Sequence, residues 1–87
     1  MSLSNFEREH VKNGGKLFVV KEDENSHRWH VVDVNPAGNK LVFDNEGFEL
    51  AEQANNAALS LVFTCTSYPL VRTVEDDEWK YDCRDYI

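Results

Sequence analysis

The sequence predicts an α+β fold, with a small antiparallel sheet of four or five strands packed against one main helix and a short N-terminal helix before it. Three observations lead there. Residues 16–43 contain three apolar, β-branched runs separated by polar or turn-forming segments. Residues 46–60 place Leu50, Ala51, Ala54, Ala57 and Ala58 at the 3.6-residue period of a helix, with Leu61 continuing it. Residues 79–83 alternate Trp79, Tyr81 and Cys83 with Lys80 and Asp82, the period of a half-buried strand. Runs of strands followed by a helix bury one sheet face in two layers. A chain of 87 residues corresponds to one domain spanning 1–87, too small for a large enclosed cavity.

The elements follow in order. Ser4 and Glu7 have the spacing of a capping box, in which each side chain satisfies the other's exposed backbone N–H, so a helix runs from about Asn5 to Lys12. Asn13, Gly14 and Gly15 tolerate positive φ and stop it. Residues 16–21 are apolar on both parities, which predicts a central strand covered on both faces. After the polar connector 22–26, residues 28–34 form a second strand, with Trp29 and Val31 on one face and His30, Val32 and Val34 on the other. Turn chemistry at 35–39 leads to a third strand at 40–43, completing an antiparallel meander.

Asp44 or Asn45 caps the main helix, with a break expected near Ser60; residues 61–66 could finish the helix or begin a strand, and their β-branched content leans toward strand. Residues 70–74 and 79–83 then form a hairpin with the acidic tip Glu75, Asp76, Asp77 and Glu78. The expected core is Leu17, Val19, Trp29, Val31, Leu41, Phe43, Leu50, Ala54, Leu61, Phe63 and Trp79.

Charge is distributed unevenly along the chain. Residues 1–43 carry six Lys/Arg and six Asp/Glu, residues 44–87 three and ten, so the net −7 lies entirely in the second half. Such a field repels phosphate and anionic lipid and attracts basic protein surfaces. No apolar run approaches the roughly 18 residues of a membrane span, and the first residues lack a signal-peptide pattern, so the expected location is cytoplasmic. The triplet at the start also fits a remnant of an expression tag. Cys65 and Cys83 have no CxxC context and read as reduced, buried thiols.

No motif specifies a chemistry. The four acids at 75–78 lack the alternation and glycine of a calcium loop and read as a solvated turn or partner contact. His27 and His30 would project from opposite faces of a strand, which argues against a shared metal; His30 reads as a packed strand histidine. Gly14, Gly15 and Lys16 lack the first glycine of a phosphate loop, and the order of helix and strand is reversed. A base-stacking platform of Trp29, Trp79, Tyr81 and Tyr86 would need Lys/Arg to track phosphates, whereas its C-terminal part is the most acidic in the chain. No nucleophile, base and orienting group can be named together, so the chain is expected not to be an enzyme and to need no cofactor.

In size, acidity and want of a catalytic signature the chain resembles host-takeover proteins of phages and mobile elements, a likeness of type that assigns no residue a role. The expected function is protein binding through an acidic surface of Glu46, Glu49, Glu52, Glu75, Asp76, Asp77, Glu78 and Asp82. The partner is the basic surface of another protein, with no direct nucleic acid and no membrane. The narrower expectation is DNA mimicry. On a helix, Glu46, Glu49 and Glu52 would lie about 4.5 Å apart along the axis and imitate a row of phosphates on a nucleic-acid-binding partner. The alternative is a small-ligand-binding or enzymatic domain.

Overall fold

The computed structural model describes residues 3–44, 46–66 and 68–75, which form an α+β fold of two helices and one four-stranded mixed sheet. The expected capping box opens α1 (Asn5–Lys12): Glu7 N–H donates to Ser4 Oγ at 3.1 Å and Ser4 N–H donates to Glu7 Oε1 at 2.9 Å. Gly14, at φ +87, ends it in the left-handed region that glycine enters without strain.

β1 (Leu17–Glu22), β2 (Trp29–Val34) and β3 (Lys40–Leu41) form the antiparallel meander, with Val19 opposite Val32 and Val32 opposite Leu41. After α2 (Ala51–Val62), β4 (Leu70–Val74) lies on the other side of β1, giving the order β3-β2-β1-β4. β1 is thus central, and Leu17 to Lys21 are buried on both parities. The odd positions Leu17 and Val19 join Val32, Val34, Val74, Leu3 and Val11 on the α1 face; Phe18 and Val20 join Trp29, Val31, Ala54 and Ala58 on the α2 face. Both Ala54 and Ala58 are fully buried, and their small side chains let α2 lie close on the sheet.

Several expectations are corrected by this arrangement. The sheet is mixed, not antiparallel, because β4 pairs in parallel with β1, Leu17 opposite Leu70 and Lys21 opposite Val74. One helix reverses the chain between β3 and β4, so β4 emerges in the direction of β3 and β1; this is the crossover that parallel strands require. Any pairing of β4 with 79–83 lies outside the described residues. Both sheet faces are covered, α1 on one and α2 on the other, as the both-parity apolar pattern of 16–21 implied and the two-layer arrangement did not.

The main helix is also displaced. It begins at Ala51, not 46, because Gly47 adopts φ +65 and Phe48 forms an antiparallel bridge with Trp29, neither compatible with a right-handed helix. Leu50, not Asp44 or Asn45, is its cap residue; Leu50 carries no acceptor, and its N–H donates to Gln53 Oε1 at 3.1 Å. At the other end the helix continues past Ser60 to Val62, since Leu61 and Cys65 extend the stripe of Ala54 and Ala58 that packs on the sheet. Burial on that stripe outweighs the local strand preference of 61–66.

Four expected core residues stay at the surface. Leu41 and Phe43 sit on the sheet edge and are about a third exposed; Leu50 is 58% exposed, and Phe63, just past the helix end, is 90% exposed. Trp79 lies outside the described residues. No helix among the described residues is long and apolar enough to cross a membrane.

Candidate functional site

Strand directions determine where the carboxylates go. β1 runs toward Glu22, β2 starts at Trp29 beside it, and β4 ends at Val74 beside Lys21, so the 22–28 turn and Glu75 share one end of the sheet. Phe48 pairs with Trp29 at that end, with N–H to O distances of 2.8 Å in both directions. Arg28 secures the approach: its Nε donates to Glu46 O and its Nη2 donates to Gly47 O at 3.1 Å. The N-terminal half of α2 packs beside this end of β4, since Thr73 Oγ1 donates to Asn55 Oδ1 at 3.0 Å. Four chain segments therefore deliver Glu22, Asp23, Glu24, Asp44, Glu46, Glu49, Glu52 and Glu75 to one end of the sheet. Three strand spacings of about 4.8 Å put the Phe48 edge about 14 Å from β4.

The local chemistry keeps this end negative. Asp44, Glu46, Glu49, Glu52 and Glu75 are exposed, and none forms an ion pair with another described residue. Asn25 N–H, 2.9 Å from Asp23 Oδ1, holds that carboxyl below its ordinary 3.8, with Ser26 adding to the effect and burial opposing it. Arg28, whose positive charge also lies at this end, donates its Nε and Nη2 to backbone carbonyls and forms no ion pair with another described residue. His27, at φ 56, faces Glu22 Oε1 at 3.3 Å. Glu52 in the first turn of α2 complements the positive end of the helix dipole.

Of the residues assigned from sequence, Glu46, Glu49, Glu52 and Glu75 are placed at the same end of the sheet; Asp76, Asp77, Glu78 and Asp82 lie outside the described residues. The row of Glu46, Glu49 and Glu52 on one helix does not form, because the first two precede α2. Glu22, Asp23, Glu24 and Asp44 were not assigned, although the meander itself signals them: in three antiparallel strands, the first turn and the exit of the third strand lie at the same end. His30 is buried opposite Lys21, a packed strand histidine as expected. Cys65 packs against the α2 face from an intermediate position, and Cys83 lies outside the described residues. Among the described residues no three His, Cys, Asp or Glu side chains lie together as a metal site would require.

Beside the acidic end, a shallow, widely open cleft of about 490 Å³ lies on the sheet edge, lined among the described residues by Val42, Phe43, Asp44, Glu46 and Gly47. Val42 N–H donates to Val31 O at 2.9 Å and Phe48 pairs with Trp29, so the chain between them is anchored to β2 at both ends. Phe43 meets Phe48 edge to face, ring centroids 5.8 Å apart. At Gly47 an added Cβ would fall 2.7 Å from Trp29 O and 2.8 Å from His30 Cε1, in a left-handed conformation. Gly47→Ala is expected to cost about 1–3 kcal/mol and to release the Phe48 bridge. Urea denaturation measures the first, and faster hydrogen exchange at the Phe48 amide reports the second.

No family model, curated protein or solved structure matches this chain.

Proposed function

We propose that the chain is a non-catalytic protein-binding module of the cytoplasm whose acidic sheet end engages a basic surface of another protein. One observation supports this above the rest. Carboxylates from four separate segments, the 22–24 turn, 44–46, 49–52 and the exit of β4, converge where Arg28 is turned toward backbone carbonyls. Solubility alone asks for dispersed charge of both signs, not carboxylates outnumbering cations at one end. A concentrated field steers a complementary partner and fixes its orientation.

The narrower proposal is that the partner binds nucleic acid and that these carboxylates replace phosphates. Duplex DNA spaces its charges at about 1.7 Å of axis, and here the carboxylates would have to span the sheet end, since no single helix carries the row.

The test is capture from a lysate of the source cells at low and high salt, with the wild-type chain and with an Asp44→Asn, Glu46→Gln, Glu49→Gln, Glu52→Gln variant. A partner retained at low salt, released at high salt and bound at least about tenfold more weakly by the variant supports the reading. Duplex DNA displacing the chain from that partner supports mimicry. Equal binding by the variant, or melting shifts with small metabolites and no retained protein, reverses the proposal in favour of a ligand-binding domain.

A further inference from the structure

The cleft on the sheet edge has a composition that the acidic field alone does not explain. Among the described residues it is lined by Val42, Phe43 and Gly47 together with the acidic residues Asp44 and Glu46. Phe43 remains 37% exposed there while its ring is steadied by Phe48. The carboxylates take no ion pair from any described residue. Backbone bonds tie Val42 and Phe48 to β2, and the Arg28 guanidinium donates to Glu46 O and Gly47 O.

From this juxtaposition we propose that the cleft receives one arginine side chain of the partner protein, its guanidinium bonded to Asp44 and Glu46 and its plane against the Phe43 ring. The inference rests on the protein-binding reading above and names what that partner presents at this point. The charge is complementary, and the shape favours guanidinium over ammonium. A planar fork donates to two carboxylates at once and stacks on an aromatic face, whereas an ammonium is a compact, strongly hydrated point charge. A divalent cation suits the cleft less, because calcium takes six or more oxygen ligands and two exposed carboxylates leave most of that shell to water.

The probe is a blocked heptapeptide of glycine and serine with one central arginine, titrated into the ¹⁵N-labelled full chain and followed by amide chemical shifts. The control peptides replace arginine with lysine, citrulline or leucine, and calcium chloride is titrated separately. The arginine peptide is expected to give saturable, millimolar shifts centred on Val42, Phe43, Asp44, Glu46 and Gly47. Citrulline and leucine give none, and lysine binds about two- to fivefold more weakly, the worth of an exposed cation–π contact. Phe43→Leu preserves an apolar side chain and should erase the preference for arginine over lysine. Asp44→Asn with Glu46→Gln should abolish the shifts while leaving the spectrum dispersed as in the folded chain.

Equal affinity for arginine and lysine with shifts spread to Glu22, Asp23, Glu24 and Glu75 overturns the cleft and leaves the broader protein-binding reading standing. Calcium reproducing the same shifts overturns it, as does the absence of any shift. The lysate capture judges the broader reading separately, since it depends on the whole acidic end.

Discussion

Replacing Trp29 with alanine should remove about 3–5 kcal/mol of stability, the usual cost of deleting a buried indole. Trp29 is 8% exposed at the first position of β2, where it packs with Phe18, Val20 and Val31 under Ala54 and Ala58. Its backbone also holds Phe48, so the cavity opens beneath the segment that carries Asp44 and Glu46. A domain of this size has about 4–13 kcal/mol in all, so the loss is a large share of it. Urea denaturation followed by far-UV circular dichroism reads the change, and Trp29→Phe should recover more than half. A loss below about 1 kcal/mol for the alanine variant would show that the ring does not seal the α2 face.

On the other face, Glu7→Leu should cost about 2–4 kcal/mol, less than a fully buried pair would because both partners keep some contact with solvent. Glu7 Oε1 lies 2.9 Å from Arg72 Nη1, with side chains 11% and 24% exposed. The Arg72 Nε and Nη2 atoms are buried without hydrogen-bond partners, so removing the carboxylate strands the guanidinium. The same change breaks half of the α1 capping box, worth about 1 kcal/mol. Glu7→Gln separates the two contributions, since an amide oxygen can still accept from Ser4 N–H while the charge is gone. The double variant Glu7→Leu, Arg72→Met should regain most of the loss, because an apolar pair of similar volume carries no desolvation cost. If it is no more stable than Glu7→Leu alone, the ion pair is not what joins α1 to β4.

How far each element was legible follows from how local its cause is. The capping box of α1, the turn at Asn13 and Gly14 and the both-sided burial of β1 are written within a few residues and were readable as such. Gly47 carried a legible warning as well, since glycine inside an otherwise helical stretch weakens that assignment. The acidic end was half readable. Its members from residue 44 onward stood out as a charge excess, whereas Glu22, Asp23 and Glu24 were hidden in a half of the chain whose net charge is zero.

The sequence by itself determined the α+β class, α1, the antiparallel meander of β1 to β3 and a helix on the Ala54, Ala58 and Leu61 stripe. These depend on side-chain period, caps and turns, which act over one or two turns of chain. Only the tertiary structure decided that β4 pairs in parallel with β1, that the helix starts at Ala51 and persists to Val62, and that α1 covers one face while α2 covers the other. It also decided that Leu50 and Phe63 face solvent. Each of those outcomes depends on residues far apart in sequence, Leu70 against Leu17 and Phe48 against Trp29, whose contact forms once the intervening chain has been ordered. A local pattern carries no record of which distant strand will offer the better burial.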